Sequence, residues 1–262
     1  MRPARGPFLA AVLVAPVGWG LLALAVWQGW LGPDVDRGAG FCEASRDGFI
    51  RQPVSTWSNL GFSVAALAIG WRARHGSRMG SLTTAYVVLV AALGPASAAM
   101  HASESALGGH LDTLSMYLFA GFTAAYALSR ALGLGTASFA ALFVALVVAC
   151  EVVAWAVGPV PVMMHAGNVA FAVLLLLTLA IENVLASRTG SPRAWGLAAV
   201  GVLVFAFVIW SQAKDGGRWC DPDSLLQGHG AWHLLGAVSA WCLYRYYASQ
   251  WDPANQLSVE PT

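Results

Sequence analysis

His229-Gly230-Ala231-Trp232-His233-Leu234-Leu235-Gly236-Ala237-Val238-Ser239-Ala240-Trp241-Cys242-Leu243-Tyr244-Arg245-Tyr246-Tyr247 is an almost uninterrupted apolar run that opens on two histidines four residues apart. It reads as a membrane-spanning helix with the pair in its first turns. Residues i and i+4 share a helix face, about 6 Å apart along the axis. Both imidazoles can therefore reach one ion, the logic of helical His-x-x-x-His zinc sites. On its own the pair is equally compatible with two interfacial histidines that cap the helix or face water.

The rest of the chain has the same solvent preference. Of 262 residues, 58% are hydrophobic and 10% charged, with mean hydropathy +0.63, whereas soluble domains carry about 25% charge. So little polar surface points to lipid, and 12 Trp with 6 Tyr suit interfacial aromatic belts. A net charge of +1 gives no basic face for nucleic acid. Eight apolar segments are each about long enough to cross a ~30 Å hydrocarbon layer: 8–31, 53–71, 82–101, 110–132, 136–158, 162–186, 194–212 and 229–248. The reading is an all-α polytopic bundle. It divides into an N-terminal transmembrane helix or signal anchor (1–31), a seven-helix core (32–248) and a short cytoplasmic tail (249–262).

If every segment crosses, Arg2, Arg5, Arg72, Arg74, Arg78, Arg130, Arg188, Arg193 and Arg245 share one side. Arg37, Arg46, Arg51, Lys214 and Arg218 fall on the other, scattered among acids. Positive charge marks the cytoplasmic side, so both ends are expected there and the two long loops, 32–52 and 213–228, outside. A cleaved signal peptide is the alternative for the first segment, but its apolar run is long for one. Cys150 and Cys242 lie inside spans and behave as small hydrophobes. Cys42 and Cys220 sit alone in the two external loops, where they could pair in an oxidising compartment or remain unrelated thiols; their shared side and isolation favour a bridge.

Polar residues within spans are costly and mark function by default. Ser97 and His101 end the third span on one helix face, and Asp112 begins the fourth. Charge topology brings this external end level with His229 and His233. Three neutral histidines and an open position make up a catalytic zinc centre. There a zinc-held water would be acidified, with Asp112 as general base and acid and Ser97 donating to the developing oxyanion. The alternative is a set of helix-end residues satisfying one another. Glu104 and His110 read as solvated turn residues. His165 and Asn168 read as helix–helix hydrogen-bonding groups that could pair with Glu151. Ser55, Ser58 and Asn59 read as close-packing or helix-start residues.

The order Cys42-Glu43, Ser55-Thr56-Trp57-Ser58-Asn59, Ser97…His101…Asp112 and His229-Gly230-Ala231-Trp232-His233 resembles the alkaline ceramidase family. That family groups with the progestin/adiponectin receptors among membrane hydrolases. The resemblance runs from about Phe41 to Tyr247. It implies zinc ligands at His101, His229 and His233, an oxyanion-stabilising Ser97, a proton-transferring Asp112 and a Cys42–Cys220 disulfide. It also implies a seven-helix bundle, to which the first span adds an eighth helix. The first external loop departs from the pattern. Animal members build a calcium site there, but this chain has Gly40-Phe41-Cys42-Glu43-Ala44-Ser45, and Gln52 replaces a glutamate. Glu43 is the one family position cleanly retained, and calcium prefers six to eight oxygens; Asp34, Asp36 or Asp47 could substitute, yet no family-type Ca2+ site is expected.

The expected activity is zinc-dependent hydrolysis of the amide of ceramide or a related N-acyl lipid, reached laterally from the bilayer, giving a fatty acid and a long-chain amine. Two alternatives stand beside it: a receptor-like lipid-sensing bundle with structural zinc, and a hydrolase of a different lipid ester or amide. An arginine-rich, lysine-poor, alanine-rich composition suggests a high-GC bacterial gene, hence an inner-membrane protein with its site towards the periplasm. The sequence is silent on oligomeric state.

Overall fold

The computed structural model describes residues 5–77, 79–157, 159–160 and 164–250. Arg2, Arg78 and positions 251–262 of the expected tail lie outside the described residues, as does the side chain of His165. The helices are α1 (Gly6–Trp27), α2 (Pro53–Ser58), α3 (Leu60–Ala73), α4 (Leu82–Ser103), α5 (Ala106–Leu132), α6 (Thr136–Val157), α7 (Ala166–Thr189), α8 (Ala194–Gln212) and α9 (Gly228–Ser249). Between α6 and α7 lies a two-residue antiparallel ladder, Pro159 opposite His165 and Val160 opposite Met164. The bundle is helical as expected. The ladder is the small exception, in a connection that a 3.6-residue periodicity does not cover.

Among the described residues five helices, α1, α4, α6, α7 and α8, are long and apolar enough to cross a membrane, which fits a multi-pass integral membrane protein. Their burial separates the roles. The protein buries 61% of the apolar window of α4 but 6% of that of α6, so α4 is the central strut and α6 turns its side chains to lipid. α4 packs against α1, α2, α3 and α5, while α9 packs against α2, α3 and α8. Tyr86 of α4, wholly buried, donates its hydroxyl to Ala240 O of α9 at 2.8 Å. Around it Ile69, Phe122, Tyr244 and Tyr247 form the core. Farther along, Arg130 of α5 meets the Glu182 carboxylate of α7 at 2.9 and 3.0 Å, and Tyr246 of α9 donates to the same carboxylate at 3.1 Å. α7 leans on α5 and α6, and α8 leans on α9.

The expected span at 53–71 is broken in two. Ser58 Oγ and Asn59 Nδ2 both donate to Ser55 O at 2.9 Å. Asn59 N then turns back to Thr56 O, tightening the chain before α3 starts. Side chains that bond local carbonyls compete with helix continuation. The α4–α5 turn is equally tight. Glu104 adopts a left-handed backbone (φ 51°), and Ser105 caps α5 by accepting from Gly108 N at 3.0 Å. A Cβ on Gly108 would stand 2.6 Å from Ala99 O, so only glycine lets α5 begin this close to α4.

Cys42 and Cys220 form a disulfide with Cα atoms 5.4 Å apart, across 178 residues. The two long loops run together beside it: Ala44 N donates to Pro222 O at 3.0 Å, and Phe41 pairs with Lys214.

Candidate metal centre and active site

The tight α4–α5 turn sets Ser97 and His101, one helical turn apart on α4, beside Asp112 in the second turn of α5. Ser97 is buried and hydrogen-bonds the Asp112 carboxylate. Arg37, from the first long loop, lies across the start of α5. A Cβ on Gly109 would meet its Nε at 2.4 Å, and its charge acts on Asp112.

The first turns of α9 bring His229 and His233 to the same place. His101, His229 and His233 are all buried, with ligating nitrogens within 4.8 Å of one another. His229 Nε2 and His101 Nε2 are 3.0 Å apart. Two ligands of a tetrahedral ion at 2.0–2.1 Å stand about 3.3 Å apart. The pair is thus near ligand spacing, and three neutral imidazoles suit zinc.

Metal-binding histidines usually spend their other nitrogen on an outer partner, and two of these do. His101 Nδ1 is 2.7 Å from Gln52 Oε1. His233 Nδ1 is 2.8 Å from Ser58 Oγ, with the Asn59 side-chain amide alongside. Because Ser58 gives its own hydrogen to Ser55 O, its oxygen accepts from His233. The two ends of the short helix α2, with Gln52 just before it and Ser58 at its close, therefore hold rings from both α4 and α9. Ser58 and Asn59 do more than break a helix: they reach a ring some 175 residues away. The His229 Nδ1 is buried and has no hydrogen-bond partner; its ring packs instead on Phe41, centroids 4.0 Å apart. Phe41 also edges His101 at 5.5 Å, so the residue beside the disulfide roofs the cluster.

Glu43, the acid retained from the calcium pattern, caps α2. Its two oxygens accept from Val54 N and Ser55 N, each at 2.7 Å. Glu104 corrects the expectation of a solvated turn residue. It is buried, because residues 34–45 fold over it. Ser45 donates to its carboxylate, and its carbonyl accepts from Val35 N and Arg37 N. Burial pushes its carboxyl above the ordinary 4.5, with Asp34 adding and the Ser45 bond opposing. His110 is exposed as expected, its Nδ1 3.9 Å from Glu151 of α6. Glu151 therefore faces α5, the helix before it.

Sequence reasoning missed Phe41, Arg37 and the contact between Gln52 and His101. One clue was available: all three lie in or beside the loop that departs most from the family pattern.

A protein-family model described as Ceramidase matches residues 41–254, most of the chain. No curated protein matches it significantly.

Proposed function

The chain belongs to the ceramidase family, hydrolases that cut an amide of a lipid in the membrane, and on that premise we propose a zinc-dependent amidase acting on ceramide or a related N-acyl lipid. The observation that carries the metal is the buried cluster of His101, His229 and His233. Zinc held there supplies a Lewis acid and an acidified water. Asp112 takes a proton from the attacking water as oxygen bonds to the acyl carbon. It then gives that proton to the nitrogen as the C–N bond breaks, releasing a fatty acid and a long-chain amine. At rest Ser97 is bonded to Asp112. With substrate bound, its hydroxyl turns to the carbonyl oxygen and donates to the negative charge that develops there.

Access from the bilayer is supported by the cover on the loop side, where the Phe41 roof and the paired loops close over the cluster. A disulfide between the long loops supports placing them in an oxidising compartment. In a bacterial inner membrane that puts the site towards the periplasm, both termini in the cytoplasm, and residues 1–31 as a helix added to the catalytic domain 32–248.

The test is metal analysis of the purified protein together with mass-spectrometric product detection from a mixed N-acyl lipid panel. One zinc per chain and release of fatty acid and amine are expected, with turnover lost in His229→Ala. A metal-free wild-type protein, or full turnover by that variant, refutes the reading.

A further inference from the structure

Gln52 is the most completely satisfied side chain near the site. It is buried (1% exposed), and each of its polar groups is engaged. Its backbone N donates to His101 O at 2.9 Å, and its carbonyl accepts from Thr56 N and Thr56 Oγ1 at 2.9 and 2.7 Å. The amide Nε2 donates to Gly38 O at 3.1 Å and Glu43 O at 2.9 Å. Those two carbonyls fix the amide's orientation. Flipping it would aim Oε1 at two carbonyl oxygens and leave both without a donor.

The orientation leaves Oε1 facing His101 Nδ1 at 2.7 Å. An amide oxygen can only accept, so Nδ1 carries the ring hydrogen and Nε2 keeps its lone pair towards His229 and His233. We infer that Gln52 is the positioning residue of this centre: it locks His101 in the Nδ1–H tautomer and ties that choice to the 38–43 stretch of the first loop. The lock needs an amide. A methionine of similar length offers neither acceptor nor donors. A carboxylate would accept from His101 yet face the Gly38 and Glu43 carbonyls without hydrogens. Space is equally constrained, since a Cβ on Gly38 would meet Gln52 Nε2 at 2.7 Å and also strike the Glu104 carboxylate.

The inference rests on the metal reading of the three histidines, and the experiment separates the two. In metal-free wild-type protein at neutral pH, 15N chemical shifts of His101, assigned by its loss in His101→Ala, should report the Nδ1–H tautomer. In Gln52→Met the tautomers should mix, and zinc affinity, measured by competition with a chromophoric chelator, should fall about 10–100-fold. Co2+ loaded in place of zinc should show a shifted visible spectrum. An Nε2–H tautomer in the wild-type protein overturns the inference whether or not the variant folds. So does a Gln52→Met protein with wild-type affinity and Co2+ spectrum, even if its melting temperature drops. A wild-type protein that binds no zinc overturns the metal reading instead, while the tautomer measurement still tests the lock.

Discussion

Asp112→Asn separates chemistry from architecture at this site. The amide matches the carboxyl in shape and still offers an oxygen to Ser97, but it cannot carry a proton between water and leaving nitrogen. General acid–base catalysis contributes about 10²–10⁴-fold, or about 3–5 kcal/mol of barrier at 1.36 kcal/mol per decade. The structural cost is smaller. The Ser97 bond changes from one to a charged acceptor, about 1.5–3 kcal/mol, to a neutral one, about 0.5–1.5 kcal/mol. That difference of about 1–1.5 kcal/mol lowers Tm by roughly 2–6 °C in a chain of this size. Zinc content should not move, because Asp112 is outside the three-imidazole cluster. The assay is turnover of a fluorescently labelled ceramide in mixed micelles, run beside metal analysis and thermal unfolding. The double variant Ser97→Ala with Asp112→Asn should cost less than the sum of the two single losses, since bonded partners act as a unit. More than a tenth of wild-type turnover in Asp112→Asn, or loss of its zinc, refutes the assignment.

Two further outcomes test the surroundings. Glu182→Ala strands the Arg130 guanidinium, whose side chain is only 12% exposed, and removes the acceptor of Tyr246. Breaking a buried pair this way costs about 3–5 kcal/mol, roughly 6–20 °C in Tm, and Arg130→Met with Glu182→Met should recover much of it; a double variant no better than the single one contradicts this account. Glu104, with its carboxyl raised by burial above 4.5, stabilises the fold fully below that pH and loses the contribution as pH rises through the raised value. The Tm of Glu104→Gln should therefore gain on the wild type between pH 4 and 8, and a constant gap would rule the buried carboxyl out as the cause.

The helices could be read from the sequence because charge-poor runs of about twenty residues have few alternatives in lipid. The histidine cluster was legible for a related reason: i, i+4 spacing fixes His229 and His233 on one face, and charge topology levels them with His101. What stayed hidden depended on partners far along the chain. Asn59 breaks a helix while standing beside a ring 174 positions later. Gln52 meets a ring 49 positions away. Glu104 looks like a turn acid bound for water until residues 34–45 are seen closing over it. Glu43 looked like the remnant of an ion site, yet its two oxygens are committed to two backbone amides. Local pattern shows which residue types are costly to bury but not which distant group relieves the cost.

The histidine cluster is split between α4 and α9, and that division carries a consequence for biosynthesis. A chain emerging from the ribosome presents His101 long before His229 and His233, and Cys42 must wait 178 residues for Cys220. Until α9 is made and packed, the growing chain holds one imidazole of three, with no roof pinned above it. An arrested or truncated product lacking α9 thus lacks two of the three clustered imidazoles. Completion of the cluster is delayed until the bundle is assembled around it.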